Sequence, residues 1–191
     1  MEKKEQLDSI VVGCLKNDRV NQEKLFKLYY GKLMVVCMRY TNDRDAAQDI
    51  LQEGFIKIFD KITTFESNGS FEGWMRRIVT NTALDYLRRS KKFSFVEENE
   101  VNTKEEYVED GDELEYESSL EIKAEFALEA INQLSPAYKT VFNLFVMEEY
   151  THKEIADMLG ISEGTSKSNL AKAKANLQKI IVKKYSKITN E

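Results

Sequence analysis

The chain of 191 residues has one proline, two cysteines, one histidine and one tryptophan. With Pro136 as the sole proline, eight glycines and few runs of alternating polarity, little breaks helices and little marks strands. An all-α chain is expected. Cys14 and Cys37 are neither a close pair nor spaced like metal ligands, and both lie among apolar residues. That argues against disulfides and zinc, and fits core packing in a reducing compartment. The only histidine is His152, so no histidine-centred catalytic or metal constellation can form, and no metal or cofactor is expected. The longest apolar run, Leu33 to Met38, is far too short to span a bilayer, and MEKKEQLDSI has no apolar signal core. A cytoplasmic protein without membrane insertion follows.

Acid is present in quantity but confined. The chain carries −5, yet residues 93–118 hold eleven Asp or Glu against one Lys, a net −10 that leaves +5 for the remainder. The stretch FSFVEENEVNTKEEYVEDGDELEYES has no sustained helical period, and its like charges oppose collapse, so 93–119 reads as an acidic flexible linker. A tether that mimics nucleic acid and shields a basic face is the sharper alternative. On either side lie two small helical domains, 9–92 and 120–187. Each has a basic region of +5, at 74–92 and at 160–191, which suggests two contacts on one nucleic acid.

The most specific pattern is HKEIADMLGISEGTSKSNLAKAK, from His152 to Lys174. Ile155 and Leu159 lie four apart on one face, and Ala156 is small where a second helix would cross. Gly160 can take the positive φ that ends a helix, Ile161 inserts from the turn, and Ser162 is placed to cap the next helix through the amide of Thr165 or Gly164. The stripe Leu170, Ala173, Leu177 and Ile181 then buries one side of that second helix. Lys167, Ser168, Asn169, Lys172 and Lys174 remain on or near the exposed arc. This is a helix-turn-helix whose arc can read a major groove; an ordinary helical hairpin with a solvated lysine face is the plain alternative.

A second strip lies in SFEGWMRRIVTNTALDYLRRSKK, a helix from about Phe71 with Ser70 or Asn68 as its cap. At 100° per residue Trp74, Arg77, Asn81, Arg88 and Lys92 share a narrow arc, opposite Met75, Ile78, Val79, Ala83, Tyr86 and Leu87; Leu84 breaks the sorting. A ring, an amide and guanidiniums in a row suit an unpaired base and its phosphates. Trp74 as a packing anchor among solvated arginines is the alternative. Between the two basic regions, DAAQDILQEGFIKIF sets Asp45, Asp49, Gln52 and Glu53 at helical spacing beside Ile50, Phe55, Ile56 and Phe59. Such carboxylates could bind a divalent ion, but an acidic face for a protein partner or plain solvation is the simpler reading. Gly54 within this helix costs on the order of 1 kcal/mol against Ala, which points to close approach of something to the backbone.

Taken in order, these three blocks resemble the signature regions of small bacterial sigma factors of the sigma-70 family, most closely the extracytoplasmic-function type. The resemblance runs from about Gly13 to Lys179, excluding the linker. It implies a non-enzymatic transcription initiation factor that binds core RNA polymerase, recognises promoter DNA at two elements and opens it. It further implies an anti-sigma factor as inhibitory partner and a free monomer. Matched to the family's motifs, Asp49, Gln52, Glu53 and Ile56 would dock on core polymerase. Trp74 and Asn81, with the loop from about Thr64 to Gly73, would capture a flipped base of the minus-ten element while Arg77, Arg88 and Arg89 hold the strand. Lys167, Ser168 and Lys172 would face the minus-thirty-five groove, flanked by Thr165 and Asn169. Ser166 stands where many relatives have a buried valine, and lysines stand where arginines are frequent. A stand-alone helix-turn-helix regulator is the competing reading; it leaves the Trp74 strip without a purpose.

Overall fold

The computed structural model describes residues 2–66, 69–90 and 120–188, and every regular element among them is helical. The acidic segment 93–119 and Lys92 lie outside the described residues. The described chain divides into two compact units: the first comprises residues up to 90 with Val146–Glu149, the second 120–145 and 150–188.

In the first unit, α1 (Glu2–Leu15), α2 (Arg19–Met38), α3 (Arg44–Lys61) and α4 (Phe71–Arg89) follow one another, with a 3₁₀ turn at Ile62–Thr64 before the last. Side-chain oxygens start three of them. Asp18 accepts from the Val20 amide at 3.0 Å, Asp43 from Asp45 at 2.9 Å and Ser70 from Gly73 at 3.2 Å, each satisfying an otherwise orphan donor. Asn17 takes φ 58° between α1 and α2, a conformation that asparagine tolerates better than most residues. The core is Leu25, Leu33, Val36, Ile50, Leu51, Ile58, Met75, Val79 and Leu84, drawn from α2, α3 and α4. Both cysteine thiols are buried and unbridged; burial pushes the Cys37 thiol up to about 12 and raises that of Cys14 as well.

The reason for Gly54 lies on α4. A Cβ built there would stand 3.0 Å from Cγ2 of fully buried Val79, so α3 and α4 meet at a point where only hydrogen fits comfortably. Leu84, the residue that spoiled the one-sided sorting of α4, is buried too: this helix packs on both α2 and α3, and its buried sector is correspondingly broad.

The second unit contains α5 (Leu120–Asn132), α6 (Pro136–Phe142), a π-helical turn (Asn143–Met147), α7 (His152–Leu159) and α8 (Glu163–Ile188). Pro136 opens α6 in the first turn, where its missing N–H costs nothing. Leu134, Tyr138 and Ala173 form a cluster joined by Phe142, Leu177 and Ile180, which seats α8 on α6. The α-helix ends at Phe142; Phe145 belongs to the wider π turn and is only half-buried. No described helix is long and apolar enough to cross a membrane.

Candidate nucleic-acid and polymerase interfaces

The helix-turn-helix forms from the local signals the sequence carries. Gly160 sits at φ 67°, ψ 35°, and the Ile161 amide reaches back to the Ala156 carbonyl at 3.1 Å, so the chain turns sharply after Leu159. Ser162 Oγ accepts from the Thr165 amide at 2.9 Å, which starts α8. A further signal in the sequence, T-x-x-E, went unread: Thr151 and Glu154 form a reciprocal capping box. The Glu154 amide donates to Thr151 Oγ1 at 3.3 Å and the Thr151 amide to Glu154 Oε2 at 2.8 Å. Ile155, Ala156 and Leu159 of α7 are buried along with Leu170 and Ala173 of α8.

On α8, Lys167, Ser168 and Lys172 are exposed and Thr165 is half-buried. Lys172 Nζ stands 5.9 Å from the Tyr138 ring centroid, and Lys167 lies 3.6 Å from Glu163 one turn earlier. Asn169 departs from expectation. It is only 6% exposed, and its amide nitrogen has no partner among the described residues, so it belongs to the inward face and not to the exposed arc. Counting back four residues from Leu170 and from Ala173 leads to Ser166 and Asn169; their polar character disguised a buried stripe that begins one turn earlier.

The imidazole of His152 stacks on Phe145, with centroids 4.4 Å apart and planes at 22°. Desolvation is the chief reason it holds a proton less readily than an ordinary histidine. Lys167 and then Lys174 act in the same direction, and Glu163 opposes them. The unfolded chain, near the usual 6.5, therefore binds this proton more tightly than the folded protein. The stabilising contribution is complete above about pH 6.5 and is lost as pH falls through the lower folded value. With no other histidine in the chain, thermal stability is expected to fall between pH 7 and pH 5.5 more steeply for the wild type than for His152→Phe. Equal slopes for the two proteins would contradict this.

In the first unit, Arg77, Asn81, Arg88 and Arg89 are exposed along α4, with Trp74 half-buried at its start. Trp74 is stacked on Phe71 at 5.5 Å and 22°, and lies 5.6 Å from Phe65, which itself meets Phe71 at 5.0 Å. One side of the indole packs into an aromatic group, and the remainder stays accessible. Phe65 was invisible to a helical-wheel argument because it belongs to the loop before α4.

Asp49, Gln52 and Ile56 line up on the outward side of α3, all exposed; Ile56 is 56% exposed although isoleucine is among the residues most often buried. Glu53 stands at the edge of this stripe, and the structure gives it an unforeseen partner. Its carboxylate receives Arg89 Nη2 at 2.8 Å and Lys57 Nζ at 2.9 Å, and these bonds, that from Arg89 foremost, hold its carboxyl below the ordinary glutamate range. Lys57 also lies 3.6 Å from Asp85, which pairs with Arg88 at 2.8 Å. Two residues assigned to different partners by sequence are neighbours across the α3–α4 seam. Among the described residues no three His, Cys, Asp or Glu side chains converge as a metal site requires.

One helical unit thus presents a polar-aromatic strip beside an outward acidic and apolar stripe, and the other is a helix-turn-helix with a lysine arc. Residues 25–93 match the family model for sigma-70 region 2, and residues 127–177 match that for sigma-70 region 4. The chain belongs to the sigma-70 family of RNA polymerase sigma factors and is of the extracytoplasmic-function type. It is 28% identical to the RNA polymerase sigma factor YlaC of Bacillus subtilis over 84% of this chain and 92% of that one. To the extracytoplasmic-function sigma factor SigW of the same organism it is 27% identical, over 86% and 90%. Among solved structures it is similar to the sigma factor RpoE of Bartonella quintana, crystallised with the anti-sigma factor NepR. The TM-score is 0.50 at 19% identity, over 83% of this chain and 95% of that one.

Proposed function

We propose that this transcription initiation factor divides its work among three helix faces. Asp49, Gln52, Glu53 and Ile56 on α3 engage core RNA polymerase. Trp74, Arg77, Asn81, Arg88 and Arg89 on α4 take the unpaired strand of the minus-ten element. Lys167, Ser168 and Lys172 on α8, with Thr165 beside them, face the minus-thirty-five groove; Asn169 supports that helix from within. The observation that carries this reading is that each polar face points outward from a helix whose opposite side is locked into a core.

The chemistry suits each task. An exposed isoleucine among carboxylate and amide groups fits a protein surface, where apolar area and oriented polar groups are buried together. A half-exposed indole offers a π-face to any base, and guanidiniums fix the phosphates. Lysines supply charge without the bidentate fork of arginine, so α8 holds backbone well and discriminates guanine less sharply. The factor recruits and positions the polymerase, which performs the chemistry, and it works in the cytoplasm under control of an anti-sigma factor. Run-off transcription with purified protein, bacterial core polymerase and genomic fragments is expected to yield discrete starts absent with core alone. Tight duplex binding without polymerase, with no discrete start and no core binding, would overturn the proposal.

A further inference from the structure

Ser166 is 0% exposed, one residue before Lys167 in the opening turn of α8. Its hydroxyl lies 2.9 Å from Nδ1 of His152, the first residue of α7, and the imidazole is held flat against Phe145. Either imidazole tautomer serves, because a hydroxyl can donate or accept. If packing alone were needed here, an aliphatic side chain would fill the space without risk, since a buried hydroxyl that loses its partner is destabilising.

A hydrogen bond adds direction that apolar contacts lack. Ile155, Leu159, Leu170 and Ala173 hold the helices together but tolerate small rotations of α8 about its own axis. A rotation of about 20° carries an atom about 8 Å from the axis through about 3 Å, enough to break a hydrogen bond to a base edge. The His152–Ser166 bond permits one rotational setting, and Lys167 and Ser168 follow Ser166 immediately. We propose that His152 is a positioning residue: through Ser166 it fixes the azimuth of α8 and thereby sharpens selection of the upstream promoter element without touching DNA. This rests on the reading of α8 as the groove-facing helix.

The test uses the full chain with core polymerase and two promoters, one with its native upstream element and one with that element scrambled. The readout is the ratio of transcript from the two, with thermal melting measured in parallel. His152→Phe keeps a ring against Phe145 but orphans the Ser166 hydroxyl, so both melting temperature and ratio are expected to fall. The double variant His152→Phe/Ser166→Val replaces both polar partners with apolar groups and is expected to regain stability. Its ratio is expected to stay at least fivefold below wild type, and His152→Asn, which restores a hydrogen-bonding atom near the Nδ1 position, should recover most of the loss. A double variant with wild-type stability and a wild-type ratio would reduce the pair to packing and overturn the proposal. A wild-type protein indifferent to the upstream element would overturn the reading of α8, and this proposal with it.

Discussion

Trp74→Ala is expected to reduce promoter opening by about 10- to 100-fold while core polymerase binding survives, since stacking of one base on an aromatic ring is worth about 1–3 kcal/mol. Permanganate reactivity of unpaired thymines in the minus-ten region reads the opening, and co-migration with core reads the binding. The geometry requires one control. Trp74 packs on Phe71 and Phe65, so its removal also loosens the start of α4, at about 0.5–1.5 kcal/mol for each lost aromatic pair beyond the area exposed. Trp74→Phe keeps that packing and most of the stacking face, and is expected to retain most of the opening. Asn81 is exposed, so Asn81→Ala should impair opening without lowering stability. Wild-type permanganate reactivity in both alanine variants would rule out base capture by this strip.

Gly54→Leu is expected to destabilise the first unit by about 3 kcal/mol, the upper part of the range for overpacking a dense core. The added Cβ meets Val79 Cγ2 at 3.0 Å, and Val79 cannot swing aside: it is fully buried and β-branched, with one strongly preferred rotamer in a helix. Gly54→Ala sharpens the test, because at an open helical site that change would stabilise by about 1 kcal/mol. Here it is expected to destabilise, and Val79→Ala in combination should reverse the sign. Denaturant unfolding followed through the single tryptophan reports on this unit specifically, since Trp74 lies within it. A Gly54→Ala protein more stable than wild type would mean that the α3–α4 contact yields more than the packing suggests.

The helix-turn-helix is legible in the sequence because its determinants are local. A glycine for φ 67°, a serine cap and a small alanine at the crossing each act within a few residues of their own position. Ser70 at the head of α4 and the cramped backbone at Gly54 were legible for the same reason. What stayed hidden depends on residues distant in sequence. Glu53 and Arg89 are 36 residues apart, and nothing in either segment names the other. Phe65 meets Trp74 only because the loop folds back onto α4. Asn169 is a different kind of miss, since the period placed it inside and its amide argued for the outside; the period prevailed. Leu84 reverses that case, an apolar residue in a polar arc, resolved once α4 is seen to pack on two neighbours.

The seam of charges between α3 and α4 has an entropic consequence. A free arginine surrenders up to about 2 kcal/mol of rotamer freedom when it is immobilised against a ligand. Arg89 is already drawn toward one direction by Glu53, at 2.8 Å through Nη2, before any nucleic acid arrives. The pair is exposed and screened by solvent, too weak to withhold the guanidinium from a phosphate. It is enough to bias where the side chain waits. Glu53 on α3 thus pre-orders Arg89 on α4, and part of the ordering cost of any later contact through that guanidinium is met while the protein folds.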